Sequence, residues 1–501
     1  MQKILSSLIL CLSLLHAYPQ KKQGSAAQGH QSAQPAGNPV HTAGYRIKIT
    51  MKPYHDSKIY LGYYYGKIKA LADSANLDGS GTGFFTGKTA LPGGIYFVVS
   101  PRREILFEVL LDRQQEFSIV ADTAGLPNNV VFTGSSDNTL FQSYSRFTGK
   151  TGGEITASQH LLASASNRSD SAVLLEKIKR LNADIQQYRQ NIIAKYPSSL
   201  LATLFHALKE PVVPPAPAGE KGRPDSLFAY HYFKAHYWDS ISLTDDRLLR
   251  TPIFEPRLDK YFRDLVPPEP DSIEREADLM LLFSRTNPEM FKFLLVYFVQ
   301  KYINPDYMGQ DAIFVHLFEK YINTGQAPFF TDKYRKFVND RAYSLMANLI
   351  GQPAADLPMV DSAGKPRTLY GIDAPFVVLC FWDPTCSHCK EIVPKVDSIF
   401  QAKWKQEGVK VYGVMVDGGH DAWLKFISDH NLKDWIHVYQ TKEQEEEDTK
   451  AGRPGYKQLY DVYQTPLLYL LDKDKRIIAK KLSYQQIDEV IKLKLQHAKQ
   501  N

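Results

Sequence analysis

Cysteine is scarce in this sequence, and the few cysteines present are clustered. The 501 residues contain four, and three of them, Cys380, Cys386 and Cys389, lie within the single stretch CFWDPTCSHC. Small secreted domains that cannot build a sufficient core are held together by many disulfides. A chain of this length with so few cysteines does not belong to that class, so the Cys386–Cys389 pair needs a chemical explanation.

Long apolar runs and an excess of one charge are also missing. A membrane-spanning helix needs about 20 consecutive apolar residues, and no stretch of the sequence reaches that length. The net charge of +6 is spread over a chain in which Lys and Glu are interleaved, which does not indicate a nucleic-acid partner. With 44% hydrophobic and 23% charged residues, the composition is that of a globular protein, and the length predicts roughly two to four domains.

The first 17 residues have the features of a secretory signal peptide. Lys3 precedes an apolar run over residues 4–15, and Ala17 supplies a small residue after it. This order of a positive residue, a short apolar run and a small residue is typical of a segment that is removed on export. We therefore expect a signal peptide over residues 1–17 and a mature protein in the periplasm that has no integral membrane span.

Two further features concern this end of the chain. Cys11 lies inside the apolar run, and Leu10 stands before it where a lipoprotein signal has a small residue. A lipid anchor on Cys11 is therefore not expected. Residues 18–44 are rich in Gln, Gly, Ala and Ser and have no apolar periodicity, which predicts a flexible linker.

The rest of the sequence shows three successive patterns. Residues 45–150 contain short alternating or aromatic-rich runs separated by turn residues, which predict an all-β, sandwich-like domain. Residues 151–345 have helical periodicity and predict an α-helical domain. One face of a helix in this domain would carry Leu174, Ile178, Leu181, Ile185, Tyr188 and Ile192. Residues 346–501 alternate strand and helix patterns and end with two strand patterns in succession, which predicts an α/β domain with a mixed sheet.

Three kinds of site can be considered for the Cys-x-x-Cys pair. A structural zinc site usually takes two pairs of ligands, but no second pair follows, and His388 is too close along the chain to complete the set. A structural disulfide across two residues closes a very short loop and gains little from chain entropy. No feature of the sequence indicates a cofactor. A redox-active dithiol fits the surroundings better.

The position of the pair supports this interpretation. The apolar run PFVVLCFW, typical of a strand buried on both faces, ends shortly before Cys386, and an amphipathic segment follows. Cys386 would then lie at a helix N-terminus, where free N–H groups and the helix dipole stabilise a thiolate. Cys389, one turn further on, would be shielded and placed to attack Cys386. An imidazole at His388 would favour the anion and make the disulfide a stronger oxidant.

At these residues the sequence resembles the thioredoxin superfamily, and more closely its exported TlpA/ResA-like branch. The pattern FW-x3-C-x2-C-K-x3-P matches through Phe381, Trp382, Cys386, Cys389, Lys390 and Pro394. A second match, Thr465-Pro466, corresponds to the cis-proline that precedes a strand in this family. The order of a β-rich front, a helical middle and this C-terminal domain is also similar to multidomain proteins secreted by Bacteroidetes-like bacteria.

The resemblance implies an exported thiol–disulfide oxidoreductase with a thioredoxin-like C-terminal domain. Cys386 and Cys389 would form the redox-active disulfide, with His388 and Pro466 as further catalytic residues. Thr465, Pro466 and Trp382 would contact the substrate. The expected partners are disulfides or thiols of exported proteins, together with a membrane or periplasmic electron donor. The expected reaction is reduction or isomerisation, although His388 favours oxidation.

The sequence departs from the family at the proton relay. Thioredoxin has a buried acid at the position where this chain has Cys380. Cys380 is therefore expected to be either a small residue of the core or the partner in an alternative disulfide. The TlpA/ResA-like branch often has an acid where this chain has Ile392, and Glu391 is one position early and is expected to point elsewhere. No proton relay is therefore assigned.

Two other functions remain open. A peroxiredoxin would need a proline and a threonine where Leu379 and Asp383 stand, so this alternative is the weaker one. A binding or scaffold protein, in which the first 345 residues hold a partner and the Cys-x-x-Cys pair only senses the redox state, is compatible with the sequence.

Overall fold

The computed structural model of the protein describes residues 44–217 and 225–500. The predicted signal peptide, Cys11 and the predicted linker up to residue 43 lie outside these residues. The described chain divides into two compact units. The first comprises residues up to Val266 together with Phe283–Phe291, and the second comprises Pro267–Leu282 and the chain from Lys292 onward.

The first unit begins with two four-stranded sheets. One has the order β4-β1-β7-β8 and the other β3-β2-β5-β6. The strands are β1 Tyr45–Lys52, β2 Lys58–Tyr65, β3 Ile68–Asn76, β4 Thr82–Gly87, β5 Gly94–Val99, β6 Ile105–Leu111, β7 Glu116–Asp122 and β8 Val131–Thr133. Alternate residues of β1, such as Ile47 and Ile49, are buried in one core with Val98 and Val109 of the other sheet. The predicted all-β N-terminal domain is confirmed.

Helices follow the strands, as predicted for the central region. Those of the first unit are α1 Ser136–Ala163, α2 Arg168–Lys195, α3 Leu200–Ala207, α4 Phe228–Ala235 and α5 Phe254–Asp264, and the next two, α6 Pro270–Phe283 and α7 Pro288–Tyr302, run through both units. The six residues predicted to share one face of a helix lie in α2, where each is buried or half-buried. Ser135 and Asn167 cap α1 and α2, because their side chains accept backbone N–H groups of the first turn.

The second unit joins helices to an α/β domain. After α8 Asp311–Leu317 and α9 Asp332–Met346, the strands are β9 Met359–Asp361, β10 Pro366–Arg367, β11 Phe376–Trp382, β12 Lys410–Met415, β13 Ile436–Tyr439, β14 Leu467–Asp472 and β15 Ile477–Lys480. The helices of this domain are α10 Ser387–Ile399, α11 His420–Asp429, α12 Lys442–Lys450, α13 Tyr456–Leu459 and α14 Tyr484–Gln500. The division into units falls inside the range predicted for the helical domain, and the predicted domain boundaries stay predictions.

The seven-stranded sheet of this domain is mixed, in agreement with the sequence pattern. Its order is β10-β9-β13-β12-β11-β14-β15, with β11 parallel to β12 and antiparallel to β14. All residues of β11 are buried: Val378, Cys380 and Trp382 belong to one core and the residues between them to the core on the opposite face. Such a strand holds the loop that follows it in a defined position. Among the described residues, no helix has both the length and the apolar character needed to cross a membrane.

Candidate active site

Cys386 lies between the end of the interior strand β11 and the start of α10. It is the N-cap residue of α10, with an extended backbone. The connecting turn is held by Asp383, whose carboxylate accepts the backbone N–H and the hydroxyl of Thr385, both at 2.7 Å. The Cys386 side chain is half-buried. The predicted placement of Cys386 at a helix N-terminus is therefore found in the structure.

This position stabilises the ionised form of Cys386. The backbone N–H of Cys389 is the main cause that lowers the pKa of the Cys386 thiol below its ordinary value. Burial opposes the lowering of this pKa, whereas the side chain of Thr465 and the backbone N–H of His388 contribute to it. The first N–H groups of a helix have no partners within the helix, so an anion at the N-cap gains contacts that a neutral thiol uses poorly.

Cys389 has the opposite character. Its side chain is fully buried, and this burial raises the pKa of the thiol to about 11. The backbone N–H of Asp383 donates to its sulfur at 3.4 Å and partly offsets the effect of burial. The two thiols are both free, one accessible and readily ionised, the other shielded and neutral. This difference matches the one expected from the sequence, an exposed nucleophilic thiol followed by a shielded one.

Thr465 and Pro466 lie next to Cys386, although they are far away in the sequence. They precede β14, which pairs with β11 so that Leu467 is opposite Phe381. This register brings the loop to the end of β11. The Thr465–Pro466 peptide bond is cis, and the Cys386 thiol donates to the carbonyl oxygen of Thr465 at 3.6 Å. The structure thus brings together Cys386, Cys389, Thr465 and Pro466.

A groove of about 410 Å³ runs beside this site. His388 is exposed at the start of α10 and lines it, together with Thr465 and Pro466. The remaining lining residues come from α10, from the loop before β14, from β14 itself and from the segment after β15: Ile392, Lys395, Gln464, Leu468, Leu482, Ser483, Tyr484 and Gln485. The segment Leu482–Gln485 could not be recognised as part of the groove from the sequence, because no motif marks it. It lies beside the groove only because the sheet order places β15 near β11.

Trp382 requires a correction. The resemblance implied that it contacts substrate, but its side chain is completely buried. The indole ring packs 5.0 Å from the ring of Phe426 and 6.2 Å from that of His437, measured between ring centres. A ring without exposed surface cannot contact a substrate, so Trp382 supports the site through packing.

The three positions compared with the proton-relay acids of the family are Cys380, Ile392 and Glu391. Cys380 is fully buried in the same core as Cys389, and burial raises the pKa of its thiol. Ile392 lines the groove. Glu391 is exposed and accepts a hydrogen bond from Lys395 at 2.7 Å. Glu391 is therefore engaged with a cation on the surface of α10.

Comparison with known proteins supports the assignment of the fold. A family model described as thioredoxin-like matches residues 375–477. No curated protein matches the chain. A solved domain of a possible thiol-disulfide isomerase from Cytophaga hutchinsonii is 33% identical in sequence to this chain. The match covers 97% of the solved domain and 30% of this chain, with a TM-score of 0.27.

Two further solved structures are similar to parts of the chain. A thioredoxin-like protein from Bacteroides caccae is 20% identical and covers 98% of that chain and 57% of this one, with a TM-score of 0.43. The thioredoxin domain of a thiol-disulfide oxidoreductase from Bacteroides vulgatus is 25% identical and covers 96% of that chain and 28% of this one, with a TM-score of 0.24. Through its C-terminal α/β domain, this chain belongs to the thioredoxin-like family.

Proposed function

We propose that the protein is an exported thiol–disulfide oxidoreductase that reduces or isomerises disulfides of exported proteins. The observation that carries the proposal is the contrast between two thiols one helical turn apart. The pKa of Cys386 is lowered, mainly by the backbone N–H of Cys389, whereas burial raises the pKa of Cys389 to about 11. A disulfide exchange enzyme needs one thiolate as nucleophile and a second thiol held in reserve.

The proposed reaction starts with the Cys386 thiolate. It attacks one sulfur of a substrate disulfide, the substrate S–S bond breaks, and one substrate sulfur leaves as a thiolate while the other is bound to Cys386. Cys389 then gives its proton to the substrate thiolate released in the first step and attacks the Cys386 sulfur, which releases the second substrate thiolate and forms the Cys386–Cys389 disulfide. Two electrons pass from the protein to the substrate, and an electron donor in the periplasm or membrane returns them.

Local contacts support both steps. Thr465 and Pro466 lie beside Cys386 in the wall of the groove, where a substrate segment would be held next to the nucleophile. The N–H of Asp383, which already donates to the Cys389 sulfur, would stabilise the thiolate that forms during resolution. Export rests on the N-terminal sequence, which lies outside the described residues.

Replacing Cys389 by alanine should trap substrates. Without the resolving thiol, the mixed disulfide on Cys386 cannot be released by internal attack, so it should accumulate with exported proteins. The measurement is recovery of the full-length Cys389→Ala variant from periplasmic extracts, followed by non-reducing electrophoresis and identification of the partners released by dithiothreitol.

The matched control is the double variant Cys386→Ser/Cys389→Ala, which should recover none of these partners. If both variants recover the same proteins in the same amounts, the partners are held without disulfide exchange. That outcome would favour the alternative of a binding or scaffold protein.

Replacing His388 by proline should make the disulfide less oxidising. The backbone N–H of Cys389 is the main cause of the lowered pKa of Cys386, and the backbone N–H of His388 adds a smaller contribution. Proline at position 388 removes this second N–H together with the imidazole. A Cys386 thiolate that is less stabilised raises the free energy of the reduced dithiol form relative to the disulfide. Since 30 mV corresponds to about 1.4 kcal/mol for a two-electron couple, redox titration against glutathione should show a shift of tens of millivolts to lower potential.

His388→Ala is the matched control, because it removes the imidazole and keeps the N–H. A small shift in this variant would assign the tuning to the backbone, whereas an equal shift in both would assign it to the imidazole. A potential equal to the wild-type value in His388→Pro would contradict any role of this position.

A further inference from the structure

The loop that carries Thr465 and Pro466 begins at a buried carboxylate. Asp461 is 3% exposed and has a φ of +53°, a backbone conformation that is uncommon for residues other than glycine. Three residues separate it from Thr465. A residue held in this conformation needs support from its surroundings, and in this case the support comes from charged side chains.

Two cations hold Asp461. Arg341 of α9 donates to one carboxylate oxygen, and Lys481, which follows β15, donates to the other. Burial by itself would raise the pKa of Asp461, but the hydrogen bonds from Lys481 and Arg341 outweigh it and hold this pKa below its ordinary value. The carboxylate is therefore charged and paired at neutral pH.

Arg341 also connects the loop to the helices that precede the α/β domain. Its guanidinium donates to the carbonyl oxygen of Ile303 at 3.4 Å and to the side-chain oxygen of Asn304 at 3.2 Å. Arg341 is 9% exposed. A planar guanidinium can bind several acceptors in fixed directions, which a lysine ammonium on a flexible stem does less well.

Neighbouring contacts reinforce the same connection. The Ser344 hydroxyl donates to the carbonyl oxygen of Gln458 at 2.6 Å. The side-chain amide of Asn348 donates to the carbonyl oxygen of Leu459 at 2.9 Å. Residues on α9 and just after it thus bind the backbone of the segment that leads into Asp461.

The other wall of the groove is attached in the same way. Lys480, at the end of β15, donates to the backbone and side-chain oxygens of Asn348, both at 2.7 Å, and to Asp311 of α8. The groove-lining segment Leu482–Gln485 begins two residues later. Both groove walls that lie opposite α10 are therefore tied at their base to the helices α8 and α9 of the same unit.

We propose that Arg341 is a positioning residue of the redox site, which holds Asp461 and thereby keeps Thr465 and Pro466 in place beside Cys386. The proposal rests on the proposed function for its consequence in catalysis. It assigns to the helices before the thioredoxin-like domain a role in the geometry of the site. Arg341 itself does not contact Cys386 or the groove.

The first test needs no substrate. In Arg341→Met, the loop loses its anchor, so the hydrogen bond from the Thr465 side chain that helps to lower the pKa of Cys386 should weaken, and the thiol should ionise at higher pH. The measurement is the pH profile of Cys386 alkylation by iodoacetamide, quantified on the Cys386 peptide by mass spectrometry. Below the wild-type midpoint, we expect alkylation to slow by about 2- to 10-fold, the factor that corresponds to the net worth of one hydrogen bond.

Two variants control for folding. Arg257→Met removes a guanidinium of the first unit that is 8% exposed and binds backbone carbonyl oxygens, and it should leave the alkylation profile unchanged. Arg341→Lys keeps the positive charge beside Asp461 but loses the planar guanidinium that binds several acceptors. It should therefore fold and show a smaller shift of the alkylation profile in the same direction. If Arg341→Met does not fold, Arg341→Lys decides. A wild-type profile in the folded variants would overturn the proposal.

The second test connects the loop to turnover. In Arg341→Met, the displaced Thr465–Pro466 loop should slow the reduction of insulin by about tenfold more than the reduction of a small aromatic disulfide. The small disulfide can reach Cys386 without being held in the groove. For comparison, a misplacement of about 1 Å can cost about 100-fold. An equal loss in both rates would indicate general destabilisation and overturn the positioning role. A wild-type protein that reduces neither disulfide would refute the proposed function, while the alkylation profile would still decide the role of Arg341.

Discussion

In Cys386→Ser, the reduction of insulin by dithiothreitol should fall to the rate seen without the protein. The thiolate is the species that attacks a disulfide, and a serine hydroxyl is not ionised at neutral pH. The N–H groups of His388 and Cys389 would still face the oxygen, but they cannot supply the missing nucleophile. Turbidity of precipitating insulin, followed at several concentrations of the full chain, measures the effect.

Cys380→Ser is the matched control for this experiment. Cys380 is fully buried, and burial raises the pKa of its thiol, so it should not attack a substrate. This variant is expected to retain most of the activity, with a lower thermal stability because a buried hydroxyl is costly without a partner. Activity of Cys386→Ser at the wild-type level would refute the oxidoreductase proposal. Loss of activity in a folded Cys380→Ser would instead indicate a third redox cysteine.

In Asp461→Ala, the free energy of unfolding of the second unit should fall by about 3–5 kcal/mol, the usual cost of removing one partner of a buried ion pair. Arg341 would remain buried without its carboxylate, whereas the Lys481 side chain is 40% exposed and can be hydrated. The lower end of this range is therefore expected. Urea unfolding followed by tryptophan fluorescence reports mainly on this unit, because it contains four of the five tryptophans, Trp382, Trp404, Trp423 and Trp435.

The exposed pair Lys336–Asp340 on α9 gives the matched control. Its ammonium and carboxylate are 2.8 Å apart, and the two side chains are 77% and 62% exposed. Exposed ion pairs contribute about 0–1 kcal/mol, so Asp340→Ala should leave the unfolding midpoint nearly unchanged. An equal loss of stability in Asp461→Ala and Asp340→Ala would show that burial does not increase the contribution of Asp461 to stability.

The stability difference between wild type and Asp461→Ala should also depend on pH. The hydrogen bonds from Lys481 and Arg341, acting against burial, place the pKa of folded Asp461 below its ordinary value, and an unfolded Asp has a pKa of about 3.9. The contribution of this carboxylate is therefore complete above about pH 4 and is lost as pH falls through the lower pKa of the folded state. A difference that stays constant down to pH 2 would contradict this origin.

Local sequence patterns determined much of the fold and the core of the site. The sequence pattern predicts a change from strand-like to helical periodicity near residue 150, since each kind of element buries its own set of positions, and the first helix begins at Ser136. Cys386 follows a continuous apolar strand and precedes an amphipathic helix, and this order alone places it at a helix N-terminus. The same apolar run ends at Trp382 and already indicated a buried ring, so the implied substrate contact of Trp382 was in conflict with the local pattern.

The groove and its support were decided only by the tertiary structure. Its walls come from segments that meet because β14 lies between β11 and β15 in the sheet, an order that no local pattern encodes. Arg341 and Asp461 are 120 positions apart, and each looks like an ordinary surface charge in the sequence. They pair because α9 packs against the loop and excludes water, and a charge excluded from water needs a partner. The sequence alone therefore predicted a redox role for Cys386 and Cys389, whereas the residues that surround and support them are brought together only by long-range packing.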